Sequence, residues 1–275
     1  MHNMMDLTSR ECKAYLFAGG DLAVVPLGAV ERLGPHLPLG ARNMVVEAIA
    51  RLLAEKNNGL CLPVIPYSTL YDTHMQQGSI DIEPELMHRY CYDLCNELTA
   101  NKFKRIVFVS FQEELYYLGH EYFQDKNIAV AHLTPDFYFD VPDTTVASLD
   151  EHGREFWRFV GCLSAMENKK MITQVFVKTQ QYFDVYEPLV NHGKRSLDLL
   201  GRTGHKMLDG EWRFYPVNLG KGLEKQPTSF IQPSQELIEK ARDELIAWLD
   251  SLSPSFEDLS KYQTFLDRTA YNRPV

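Results

Sequence analysis

V-P-L-G-A-V-E-R-L-G-P-H-L-P-L-G-A-R-N, residues Val25 to Asn43, is an apolar strand that empties into a loop holding a glutamate, a histidine, three glycines and three prolines. Open α/β sheets place ligand-binding groups in such loops, because the carboxyl ends of parallel strands form a crevice. Glu31 and His36 occupy that position. Beyond the loop, Met44, Val45, Ala48, Ile49, Leu52 and Leu53 recur at helical spacing up to Asn57-Asn58-Gly59, so the segment reads as strand, loop and helix.

The same alternation continues on both sides. Thr8 or Ser9 caps an expected helix to Phe17, and Leu22 to Leu27 is the first strand. Leu60 to Ile65 reads as a second strand and Pro84 to Phe103 as a helix with Leu86, Tyr90, Leu94 and Leu98 on one stripe. Arg105 to Phe111 has too many consecutive apolar residues for a half-exposed strand and reads as a central parallel one. A helix is expected near Glu113, a strand over Ile128 to Leu133 and a helix from Leu149 to Met166. Past Lys170, M-I-T-Q-V-F-V suggests a strand, Gly193 to Gly222 suggests loops, and Pro233 to Leu252 is an amphipathic helix that Pro254 should end. The pattern predicts a three-layer α/β/α sandwich with a mainly parallel central sheet. Residues 1–253 form the expected domain, and 254–275 a tail packing on it or on a neighbouring subunit.

The totals narrow the chemistry. With 275 residues and 45% hydrophobic content, the chain can bury one large core. Its 28 basic and 37 acidic residues give a net charge of -9, which opposes nucleic acid or an anionic membrane as partner and favours a small molecule. Five cysteines without a C-x-x-C pair read as free thiols in a reducing compartment. Cys91 and Cys95, one helical turn apart, read as buried helix-face residues. The first residues lack a basic segment and an apolar run, and a cytoplasmic location is expected. No phosphate loop, G-x-S-x-G elbow or H-E-x-x-H is present, which removes phosphoryl transfer and serine hydrolysis.

The loop resembles the signature of the creatininase (creatinine amidohydrolase) family, Pro-x-Gly-x-x-Glu-x-His-Gly-x-His-Leu-Pro with an aspartate four residues on. Pro26, Gly28, Glu31, Gly34, His36, Leu37 and Pro38 match in register. His74 to Ile82 is similar to a shortened His-x-x-Phe-Pro-Gly-Thr segment, and Glu151-His152-Gly153 to the family's Glu-His-Gly. The resemblance implies cleavage of cyclic amides, formamides or peptide C-N bonds, two divalent metals, and assembly, often as hexamers.

Carried over residue by residue, the implied metal site is damaged. Glu31 stands for the first glutamate, but Leu33 replaces the histidine two residues on and Arg42 the bridging aspartate. Gln112 falls on the histidine of an Asn-Gly-His loop, Glu114 on a glutamate that some members use, and Glu151 on the third-loop glutamate. Leucine and arginine supply neither lone pair nor negative charge, so no dinuclear centre is expected. One Zn or Mn ion held by Glu31, His36 and Glu151 is the metal-bearing alternative.

Arg42 offers a fixed positive fork that could pair with Glu31, Glu114 or Glu151. The expected catalytic set is thus Glu31, His36, Arg42, Glu114 and Glu151, with His74, Gln112 and His152 binding substrate. Each has a plainer alternative: Arg42 could begin its helix in water, and Glu113-Glu114 suit a first helical turn. His120, His132, His192 and His205 carry no motif and read as surface or satisfied core histidines. The alternative function is a non-catalytic ligand-binding or assembly subunit, its cleft filled by Leu33, Phe111 or nearby aromatics.

Overall fold

The computed structural model describes residues 2–33, 37–70, 78–112, 115, 128–135, 151–168, 170–172 and 234–269. Helix α1, Ser9–Phe17, begins at a capping box in which the Glu11 amide donates to Thr8 Oγ1 and the Thr8 amide to Glu11 Oε2. Strand β1, Leu22–Leu27, follows, then helix α2, Ala41–Lys56, strand β2, Leu60–Cys61, helix α3, Pro84–Ala100, strand β3, Arg105–Ser110, and strand β4, Ala129–Leu133. Helices α4, Glu151–Ala165, α5, Gln235–Ser251, and α6, Ser253–Thr269, complete the described elements.

The four strands are parallel in the order β2-β1-β3-β4. Both faces of the central pair are buried, and the side-chain alternation of period two divides each strand between two cores. Leu22 and Val24 of β1, with Val107 and Val109 of β3, face a cluster that includes Ile49 and Leu53 of α2, Phe159 and Leu163 of α4, and Leu245 and Trp248 of α5. Ala23, Val25 and Leu27, with Ile106 and Phe108, face the second cluster, which holds Met87, Cys91, Cys95 and Leu98 of α3. Helices on both sheet faces make the expected α/β/α layering. Cys91 and Cys95 lie in the core, as their spacing predicted.

Three boundaries differ from the sequence reading. Strand β2 stops at Cys61: the Leu62 amide still donates to the Val24 carbonyl, but Pro26 of β1 has no N–H to return, and pairing resumes only at the isolated bridge Leu27 to Ile65. Met171 and Ile172, expected to open a strand, are helical, and residues 173–177 lie outside the described residues. Pro254 does not simply end a helix. It stands in the first turn of α6, where a missing N–H costs nothing.

Helix α6 clasps the amino ends of β3 and β4. Gln263 Oε1 accepts from the Ala129 amide at 2.8 Å, Lys104 pairs with Asp267 at 2.8 Å, and Arg105 donates to Ser260. The opposite, carboxyl ends of the strands are left to the loops that carry the sequence motif. Among the described residues, no helix is long and apolar enough to cross a membrane.

Candidate functional site

The site starts at the end of β1. The Gly28 amide donates to the Ile65 carbonyl at 3.0 Å, and the Gly28 backbone presses on the first turn of α2. A Cβ at position 28 would lie 2.1 Å from Asn43 Oδ1 and 2.7 Å from Asn43 Cα, so only glycine permits this approach. Asn43 Nδ2 in turn donates to the Pro66 carbonyl at 3.3 Å. These contacts fix the helix start against the strand end.

The loop between them is braced by its own backbone. The Glu31 amide donates to the Leu39 carbonyl at 2.9 Å, closing residues 31–39, and the Ile80 amide donates to the Val30 carbonyl at 2.9 Å. The Arg32 amide donates to Ser79 Oγ at 3.0 Å. Glu31 is thereby held at 2% exposure, a depth at which a carboxylate needs a compensating charge.

Arg42 supplies that charge. Its Nε lies 2.8 Å from Glu31 Oε1, with side-chain exposures of 24% and 3%. The approach is off the N–H direction, making this an ion pair rather than an aligned hydrogen bond. The Arg42 Cζ also sits 4.6 Å from the ring centroid of Phe111, just beyond β3. A second guanidinium, that of buried Arg158 on α4, lies 4.7 Å from the same centroid and donates through Nη1 to the Pro135 carbonyl at 3.1 Å. Each cation–ring contact is worth about 0.5–2 kcal/mol depending on desolvation.

Beside this cluster runs a buried polar chain. Gln112 Nε2 donates to Ser68 Oγ at 3.0 Å and the Gln112 amide to Ser110 Oγ at 3.0 Å. His132 Nε2 lies 3.0 Å from the Ser110 carbonyl. Asp81 accepts from the Leu70 amide at 2.7 Å and holds the loop after Ser68. Side chains from β3, β4 and the loop before α3 thus meet at one end of the sheet.

The family model described as creatinine amidohydrolase matches residues 5–120, a span that includes Glu31, Arg42 and Gln112. Solved structures match the fold over nearly the whole chain. A manganese form of creatininase is 16% identical, covering 92% of this chain and 98% of its own, with a TM-score of 0.57. A glutamate-to-glutamine creatininase complexed with creatine is 15% identical over 92% and 98%, with a TM-score of 0.56. A Bacteroides fragilis protein, provisionally described as a creatinine amidohydrolase, is 16% identical over 94% and 96%, with a TM-score of 0.53. The fold is that of the creatininases. Alignments to two tryptophan-substituted creatininases are shorter, spanning 51% of this chain and 60% of theirs. No protein of curated function matches by sequence.

Within this creatininase-like frame, the structure brings Glu31 and Arg42 together and places Gln112 on the adjoining strand end. The helix that carries Glu151 and His152 is described, but their side chains are not. His36, His74 and Glu114 lie outside the described residues. Among the described residues, no three His, Cys, Asp or Glu side chains form a group that could hold a metal ion.

Two neighbours were not expected from the sequence. Arg158 interrupts the apolar run F-W-R-F-V of α4, and a cation on the buried stripe of a helix was the signal available. His132 was read as an incidental histidine, yet it stands near the carboxyl end of β4, where crevice residues gather. A cavity of about 340 Å³ lies elsewhere, between α2 and the end of α4, lined by Met44, Glu47 and Met166 among others. It shares no residue with the Glu31–Arg42 cluster.

Proposed function

We propose that this creatininase-like protein acts on a C-N bond of a small polar substrate, a cyclic amide, formamide or amide, at the carboxyl ends of β1 and β3, using fixed organic charges in place of a dinuclear metal centre. The Glu31–Arg42 ion pair carries this reading. A guanidinium lies where the family resemblance calls for a bridging carboxylate, and it already neutralises the glutamate that would bind an ion.

The donors present do not fit a metal pair. Leu33 packs against the apolar cluster, Gln112 turns its amide nitrogen to Ser68, and Arg42 would repel a divalent cation beside Glu31. A single Zn or Mn ion on Glu31, His36 and Glu151 would have to compete with Arg42 for the same carboxylate. In the metal-free alternative, Arg42 positions the polar substrate by its fixed charge and Glu31 holds the guanidinium in register. Glu114, Glu151 and His36 are assigned to proton transfer, and His74, Gln112 and His152 to substrate contacts. A cytoplasmic location and a homo-oligomer, as large as a hexamer, belong to the same proposal, as does a small-molecule partner in preference to nucleic acid or membrane.

Hydrolysis of a panel of formamides, cyclic amides and amides by chelator-treated protein, with elemental analysis of the same sample, tests the proposal. Turnover should persist without metal and fall about 100-fold in Glu31→Gln, the scale of misplacing a group that positions the substrate. Turnover that returns only with added Zn or Mn would overturn it.

A second reading, a non-catalytic ligand-binding or assembly subunit, is favoured by one observation. Leu33 and Phe111 both pack against the larger core cluster, and Phe111 lies against Arg42 and Arg158. Apolar groups thus occupy part of the space at the strand ends. Saturable binding of a panel compound with no turnover by any would select this reading.

A further inference from the structure

Arg42 narrows the class of ligand that the cleft can take. A guanidinium carries five N–H donors in one plane. Nε lies 2.8 Å from Glu31 Oε1, off its N–H direction, and the Phe111 ring lies close to the guanidinium, leaving the Nη1/Nη2 edge as the polar part not engaged. Among the described residues that edge has no hydrogen-bond acceptor, and the side chain keeps 24% exposure. Its two parallel N–H groups match the two oxygens of a carboxylate, whereas a neutral amide offers a single oxygen and a weaker, uncharged contact.

The surroundings favour the same sign of ligand. Gly40 gives α2 no side-chain cap and its first turn holds no acidic residue, so the positive end of the helix dipole stands beside Arg42 unopposed from within the helix. Arg158 places a second guanidinium on the Phe111 ring. A cationic ligand would be repelled here. Glu31, close behind the fork, disfavours a doubly charged anion more than a singly charged one.

We infer that the ligand carries a carboxylate, seated in two-point fashion on the Nη edge of Arg42. This rests on the function proposed above and deepens it: the substrate is a small molecule bearing both an amide-type C-N bond and a carboxylate. Arg42 then has two duties, balancing Glu31 by its charge and reading the substrate's charge through its Nη edge.

Calorimetric titration at low salt with N-acetylglycine and with N-acetylglycinamide tests the inference, since the two differ only in replacement of the carboxylate by a neutral amide. The wild-type protein should bind the acid at least about tenfold more tightly, and Arg42→Gln should bring the two affinities within about twofold. Arg42→Lys, which keeps the charge but not the fork, should retain an intermediate preference. Equal affinities in the wild-type protein, no binding of either compound, or tighter binding of inorganic phosphate than of N-acetylglycine would each overturn the inference, whether or not the variants fold. Failure of the underlying function is read separately. Hydrolysis of neutral formamides without preference for acids would remove the carboxylate and leave the metal-free reaction, whereas a stoichiometric metal pair would remove the latter alone.

Discussion

At the scale of single residues, the Glu31–Arg42 pair is a structural commitment as well as a chemical one. Taking a carboxylate to 3% exposure costs several kcal/mol, and the nearby guanidinium offsets that cost only while both partners are present. Arg42→Leu should therefore destabilise the fold by about 3 kcal/mol in urea unfolding, the usual size of breaking a buried pair, with some relief from the quarter of the Arg42 side chain that meets solvent. Adding Glu31→Gln should recover part of the loss, because the buried charge is then gone. A double variant no more stable than Arg42→Leu alone would show that Glu31 does not depend on this partner. The sequence reading leaves the partner of Arg42 open among Glu31, Glu114 and Glu151, and the structure pairs it with Glu31. Arg158 was not legible in the same way, since its contacts with Phe111 and Pro135 join segments far apart in the chain.

At the scale of elements, close approach of backbones decides which small residues can change. Gly161 of α4 faces the α5 backbone so closely that a Cβ there would lie 2.7 Å from the Ala241 carbonyl oxygen. Alanine would improve helix propensity by about 1 kcal/mol, but forcing two helices apart costs about 1–3 kcal/mol, and the clash is with backbone that cannot rotate away. Gly161→Ala should thus lower stability by about 1–2 kcal/mol, seen as a drop in the thermal midpoint. An unchanged or raised midpoint would mean that α5 shifts freely over α4. Strand and helix identities here were readable because both sheet faces are buried, which leaves long apolar runs in β1 and β3 and clear stripes in α3 and α5. Strand β2 is shorter than its apolar run suggests, since Leu62 to Ile65 reads as strand while the missing donor lies in the partner strand, at Pro26 of β1. The helix at Ser253–Thr269 was missed because its polar face dominates. What it buries, Phe256, Gln263 and Leu266 with Leu259 packed beside them, falls at helical spacing, but a glutamine interrupts the apolar stripe.

At the scale of the whole molecule, the layered core sets how stability responds to pH. Burial pushes the thiols of Cys61, Cys91 and Cys162 up to about 12 and that of Cys95 higher still, while an unfolded chain would ionise them near their ordinary value of 9.0. Below that value both states keep the protons and the thiols have no effect on stability. Above it the unfolded chain loses protons that the folded one retains, so unfolding becomes more favourable as pH rises toward 12. Each buried thiol should remove about 1 kcal/mol of stability per pH unit over that window. Urea unfolding between pH 8 and 10.5 should accordingly show a steep decline, and Cys91→Ala should decline less steeply by about 1 kcal/mol per unit, whatever the cavity costs at neutral pH. Other groups titrate in this range, and the difference in slope between the two proteins isolates the thiol from them. Parallel slopes would mean that Cys91 reaches solvent in the folded state. Native-state labelling provides an independent measure of the same packing: a thiol reagent at pH 8 should modify Cys12, the one cysteine not buried, well before the other four. Rapid reaction of Cys91 or Cys95 would place the opening of α3 away from the sheet among the ordinary fluctuations of the fold.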